Sequence, residues 1–238
     1  GSANTDGSIN STVSANTTSG FSIVKYTATG SNATVGHGLS SVPKMIIIKD
    51  LEDSGGSNWG VYHNSIGNTD FLELNSTAAK DTSSGLWNNT TPTSSVFSIG
   101  NNSRVNNSGN DFIAYCFADV QGYQKCSSYI SNGNSDGVFQ YLGFRPSVIL
   151  TKNTSQATDW IMHSNDRNGY NGGNTPIFPS GETGAGNATD NEIDFLSNGF
   201  KVRNAGSKSN GDGAGKTLIY LAIGQSIVGT NNVPCTAR

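Results

Sequence analysis

The sequence predicts an all-β fold of two tandem antiparallel β-sandwich lobes, jelly-roll-like in character. Three observations carry this reading. Apolar residues come in short β-rich runs: Met45-Ile46-Ile47-Ile48, Phe112-Ile113-Ala114-Tyr115, Val148-Ile149-Leu150 and Leu218-Ile219-Tyr220-Leu221. Polar stretches of Asn, Ser, Thr and Gly separate them, with 30 Gly in 238 residues. The first half of the chain is also repeated in the second, and a repeat of about this length is near the usual size of a domain.

The repeat is read from segments in a fixed order. Leu39, Pro43 and Lys49 correspond to Leu142, Pro146 and Lys152. A Trp follows in each copy, Trp59 and then Trp160. Phe97 corresponds to Phe200, and a polar Asn/Gly loop then leads to a closing apolar strand, Phe112–Ala118 or Leu218–Gly224. The expected divisions are a polar leader over 1–20, lobes over 21–120 and 121–224, and a tail over 225–238.

Each element has its own signal. Thr34–His37 reads as a strand and Gly38-Leu39 as a turn. Pro43 cannot donate to a central ladder, so it marks the entrance of the strand that follows. Met45–Lys49 is almost wholly apolar, the pattern of a strand covered on both faces. Trp59–Tyr62 and Phe71–Leu74 come next, the second with the period-2 alternation of a half-buried strand. The Ser/Thr/Asn leader reads as an extended linker or a strand packing against neighbouring copies.

Composition excludes several classes. Only 13% of residues are charged and the formal net charge is -3, so there is no clustered basic face for nucleic acid. No apolar run approaches the roughly 18 residues of a membrane span. The opening Gly1-Ser2-Ala3-Asn4 does not read as a signal peptide. Cys116, Cys126 and Cys235 make an odd count without a Cys-x-x-Cys pair, which argues against a thiolate zinc site. Cys116 sits in an apolar run as a buried thiol, although a Cys116–Cys126 bridge is geometrically allowed.

No nucleophile elbow occurs, and no catalytic residue is assigned. His37 lies in a turn, where a bond to loop backbone would employ it. His63 and His163 each follow a Trp and are expected at equivalent strand ends, in different lobes, so they do not share a metal. No cofactor is expected, and a calcium ion on the Asp50/Glu52/Asp53 or Asp190/Glu192/Asp194 carboxylates stays open. Glu192 and Asp194 share one face by alternation, the arrangement a glycan-cleaving enzyme would need. Gly211–Thr217 lacks the first Gly of a phosphate loop and precedes a strand.

Binding suits the chain better. Sugars are held by aromatic faces and polar side chains, and Trp59, Tyr62, His63, Trp87, Trp160, His163, Arg167 and Tyr170 lie beside polar loops. Trp59 and Trp160 also recur at equivalent repeat positions, as core residues would. Asp166–Asn174 has no counterpart in the first copy and is the best single loop for ligand contact.

A set of motifs resembles a module of marine bacteriophage tail-fibre-like virion proteins. These are Asp6–Asn16, Gly20–Val24, Gly36–Leu39, Ala114–Ala118, Gly122-Tyr123, Gly143–Pro146 and Leu196–Arg203. The chain departs from that pattern at Cys126 and Ser127, where Phe and Gly are expected, and at Ser164, where an Asp often stands. The resemblance implies a receptor-contacting or structural virion part that acts outside the cell, commonly the end of a trimeric fibre. Its implied partners are host-surface glycan or an outer-membrane receptor, other virion proteins and two further copies of the chain. It supplies no catalytic residues, and charge and hydropathy already argue against nucleic-acid binding and membrane insertion. The function expected is non-enzymatic host attachment; the alternatives are a glycan-cleaving depolymerase using Glu192 and Asp194, and a structural decoration protein.

Overall fold

The computed structural model describes residues 1–53, 55–167, 171, 175–180 and 192–224. The fold is all-β, and the chain divides into two compact units, Gly1–Asp119 and Val120–Arg238. The expected tail, 225–238, and Cys235 lie outside the described residues.

The first unit runs β1 (Ser2–Asn4), β2 (Ser11–Asn16), β3 (Phe21–Thr27), β4 (Ala33–Gly36), β5 (Pro43–Asp50), β6 (Gly60–His63), β7 (Asp70–Glu73) and β8 (Asp81–Thr82). A helical turn α1 (Ser84–Trp87), β9 (Val96–Ile99), a second turn α2 (Ser103–Asn106) and β10 (Asp111–Ala118) complete it. The large sheet has the order β1-β2-β3-β10-β5-β6-β7-β8, and β4 pairs with β9 in a small one. All pairings between these strands are antiparallel. Val24, Ala114, Ile46, Ile48 and Tyr62 from the large sheet share one core with Val35, Phe97 and Ile99 from the small one. Two sheets burying facing apolar sides in this way make the sandwich character.

The expected separation of residues 1–20 as a leader is corrected. β2 pairs with β3 from Ser11↔Tyr26 to Asn16↔Phe21, and Ile9 bridges Val35 of β4. Ile9 and Val13 are buried in the core. A few apolar residues among many polar ones suffice, because a strand filling an existing edge needs only its inward positions apolar.

The second unit contains β11 (Gln124–Asn132), β12 (Phe139–Tyr141), β13 (Pro146–Asn153), β14 (Ile161–Ser164), β15 (Ile193–Leu196), β16 (Gly199–Val202), a turn α3 (Ser207–Asn210) and β17 (Ala214–Gly224). Its sheets have the orders β11-β17-β13-β14 and β12-β16-β15. The first matches β3-β10-β5-β6, and the β12–β16 pair matches β4–β9. Segments that repeat in the sequence take matching places in these orders: Pro43 pairs with Ala118 and Pro146 with Gly224, each beside a register shift. Phe97 and Phe200 are both buried, in β9 and β16.

Two polar devices recur. The hydroxyl of Tyr26 donates to the carbonyl of Val105 at 2.7 Å, and that of Tyr129 to the carbonyl of Ser209 at 2.6 Å. Lys49 Nζ donates to the carbonyl of Ser57 at 3.0 Å, and Lys152 Nζ to the carbonyl of Thr158. In both units the bonded carbonyl lies two residues before the repeated Trp, so the Lys ties down the loop leading to it.

Lys152 is fully buried, and burial pushes its ammonium down to about 8 against the opposing pull of Asp159. The unfolded value is near 10.4, so between these limits the unfolded chain binds more protons and stability rises with pH. The burial penalty is fully present below about pH 8. The stability advantage of Lys152→Met over the natural protein is therefore expected to shrink by roughly 2 kcal/mol from pH 7.5 to 10. Denaturation midpoints of the two proteins across that range give the difference, and a flat difference refutes the assignment.

Cys116 and Cys126 are both buried, and the allowed bridge between them does not form. Burial pushes the Cys116 thiol up to about 12, the state of an inert core thiol.

Candidate binding face on the second unit

The three-stranded sheet of the second unit turns one face to its core and the other to solvent. Gln140, Phe200 and Phe195 are directly opposed across β12, β16 and β15, and Phe200 and Phe195 belong to the core. Side chains alternate along each strand, so the neighbouring rows face outward. These are Phe139, Lys201 and Asp194 in one row, and Tyr141, Gly199 and Leu196 in the next.

Phe139 is 44% exposed and Tyr141 62% exposed, two of the largest exposed apolar side chains among the described residues. Gly199 stands opposite Tyr141. A Cβ there would lie 2.0 Å from the carbonyl oxygen of Gln140, so only Gly lets β12 and β16 approach this closely.

Charged groups line the same face. Lys201 Nζ lies 2.7 Å from Asp136 Oδ1, and Arg203 Nε lies 3.2 Å from Asp194 Oδ2. Arg203 Nη1 lies 3.9 Å from Asp136, linking the two pairs. The hydrogen bond and charge of Lys201 hold the Asp136 carboxyl below its ordinary range. The face thus offers two open aromatic rings beside a row of paired charged donors and acceptors.

The first unit treats the matching surface differently. In register, Thr34 and Gly36 of β4 take the places of Phe139 and Tyr141. Ser8 and Thr34 exchange bonds, Ser8 N–H to Thr34 Oγ1 and Thr34 N–H to Ser8 Oγ, each 2.9 Å. The Asn4 side chain lies where a Cβ on Gly36 would stand, with Oδ1 1.7 Å from that position. The segment before β2 therefore covers in the first unit what lies open in the second.

The binding residues expected from sequence are mostly buried, which corrects their assignment. Tyr62 and Trp87 meet edge to face in the first core, 5.7 Å apart, and Trp87 Nε1 donates to the Asp70 carbonyl at 3.1 Å. His63 is buried, with Nδ1 accepting from the Ser65 N–H at 3.2 Å. Trp160 and His163 are each 1% exposed. Tyr62 in β6 and Trp87 at the end of α1 belong to the first core although polar loops flank both. Trp59 is half-buried, its ring near-parallel to that of Tyr115 at 6.5 Å. Arg167 is exposed in a turn, and Tyr170 lies outside the described residues, with most of the loop assigned to ligand contact.

His63 and His163 are not equivalent. Met45 pairs with His63, whereas its counterpart Val148 pairs with Ser164. His163 matches Tyr62 instead, one residue along and on the opposite side of the strand. His37 does sit in its turn as expected, with Nδ1 accepting from Leu39 N–H and Nε2 meeting the Thr93 carbonyl, each at 3.2 Å.

Among the described residues, no cluster of His, Cys, Asp and Glu could hold a metal ion. Asp50 is buried and takes both bonds from the Asn110 amide, at 3.1 and 2.9 Å. Of the two carboxylates considered for glycan cleavage, Asp194 is engaged by Arg203, and Glu192 is half-buried just before β15, its backbone carbonyl accepting from Arg203 N–H at 2.9 Å. Asp190 of the possible calcium cluster lies outside the described residues.

Phe139 and Tyr141 were not singled out from sequence. The available signal was a departure from the repeat: Val138-Phe139-Gln140-Tyr141-Leu142 puts large apolar side chains where the first copy has Thr34 and Gly36.

A family model for a domain of unknown function, DUF7483, matches residues 1–226, and the chain belongs to that family. No curated protein and no solved structure gave a significant match to the chain.

Proposed function

We propose that this member of the DUF7483 family is a non-enzymatic virion adhesion module, of tail-fibre type, that holds host-surface glycan outside the cell. The observation that carries the glycan reading is the open Phe139/Tyr141 pair beside the Lys201–Asp136 and Arg203–Asp194 pairs. Aromatic faces take the apolar side of a sugar ring, and a few placed polar groups orient its hydroxyls. The resemblance of the motif set to phage tail-fibre modules supplies the virion setting.

Incubation with host envelope polysaccharide tests the reading. Retention without shortening is the expected result. Shortening of the polymer supports the depolymerase alternative instead, and neither effect supports a decoration role. Tyr141→Ala and Phe139→Ala are each expected to weaken retention about tenfold, from the loss of one aromatic contact. Both side chains are exposed, so the thermal transition should hardly move.

The intact virion protein is proposed to be a homotrimer, in which three linked weak sites gain avidity. We place the contact at β1, an edge of the large sheet, because bare edges are templates for pairing with another chain. Light scattering up to about 1 mM reads the mass, since weak assembly appears in that range. A monomer throughout sinks the placement at β1.

A further inference from the structure

The proposed glycan site has an internal counterpart, and its occupant indicates what the site accepts. In the first unit, the surface equivalent to Phe139 and Tyr141 is covered by Asn4 and Ser8, an amide and a hydroxyl. Asn4 is held there by Asp6, donating from Nδ2 to Asp6 Oδ2 at 2.9 Å and accepting from Asp6 N–H at 3.0 Å. A neutral amide and a hydroxyl thus make the direct contacts with Gly36 and Thr34, with the Asp6 carboxylate behind the amide.

The charged groups of the open site agree with this. Lys201 and Arg203 both face acids, through Asp136 and Asp194. An acidic sugar would have to displace one of these carboxylates from its cation. A neutral sugar can bridge them with hydroxyls and leave each pair intact. Charged groups already paired add little net attraction for a further charge, and what remains is screened by salt.

We infer that each chain carries one such site, on the second unit alone, and that it takes an uncharged glycan. The inference rests on the carbohydrate reading of the Phe139/Tyr141 face. The first unit contributes no second site, because Gly36 and Thr34 offer no ring and Asn4 and Ser8 cover them.

Calorimetric titration of the full chain is the test, with short fragments of four polymers as probes. Two are neutral, a galactomannan and a chitin oligosaccharide; two are acidic, alginate and a sulfated carrageenan. The expected result is binding to a neutral probe at one per chain. Its affinity should change less than about twofold between roughly 50 and 500 mM NaCl, and Tyr141→Ala should weaken it about tenfold. Preference for alginate or carrageenan with steep salt dependence overturns the neutral class but leaves the carbohydrate reading standing. Two equivalents per chain overturn the single site. Binding left unweakened by Tyr141→Ala in a folded protein overturns its location, and binding to none of the four overturns the carbohydrate reading with the inference built on it.

Discussion

Replacing Trp87 by Ala is expected to lower the stability of the first unit by about 3–5 kcal/mol, the usual range for a buried Trp or Phe cut to Ala. Trp87 is 2% exposed, packs edge to face on Tyr62 and donates to the Asp70 carbonyl. The substitution therefore leaves a cavity and also an acceptor without its donor. Trp59→Ala is the control. Its ring is half-buried on the outer side of the large sheet, and the loss should be about half as large. Denaturant midpoints read both. Equal effects from the two substitutions would contradict the placement of Trp87 in the core, and a selective loss of glycan retention in folded Trp87→Ala would restore it as a ligand residue.

Asn106→Leu is expected to destabilise the first unit by about 4 kcal/mol, and Asn210→Leu the second by a similar amount. Asn106 is 1% exposed. Its Nδ2 donates to the carbonyls of Ser31 and Gly100, each at 2.7 Å. Its Oδ1 accepts from the N–H groups of Thr29 and Gly30, at 2.9 and 3.1 Å. One amide thus satisfies four backbone groups in the loop between β3 and β4 and beside α2. Leu has nearly the same size but no polar atom, so packing is preserved and the four groups are orphaned. Orphaned groups cost about 1–3 kcal/mol each, less where water reaches them. In the second unit Asn210 bonds to Asn132, Asn134 and Asn204 in the same role. A loss below about 1 kcal/mol in both units would show that the loops find water without the amide. The loop should then open, and faster amide exchange at Thr29 and Gly30 would report it.

The sequence by itself determined the all-β class, and the reason is local. β-rich runs a few residues long, punctuated by Gly and Asn, leave no room for helices beyond single turns. It also determined which segments take matching places, because Pro43 and Pro146 must stand where no ladder bond is donated, and Phe97 and Phe200 must face a core. The turn role of His37 was legible in the same way, from its immediate neighbours.

Only the tertiary structure decided which aromatic residues are open. Trp87 and Tyr62 stand beside polar loops as an exposed residue would, and nothing local says that both enter the core of the first unit. Residues 1–20 read as a linker, or as a strand packing against neighbouring copies, because they carry little apolar content, yet they complete the first unit's own sheet: β1 pairs with β2, β2 with β3, and Ile9 bridges Val35. The same long-range fact decided the candidate site. Phe139 and Tyr141 are exposed because, among the described residues, the second unit has no counterpart of the segment before β2, whose Asn4 and Ser8 cover the equivalent surface of the first unit, and exposure of that kind depends on what lies across the sheet and not on the residues themselves.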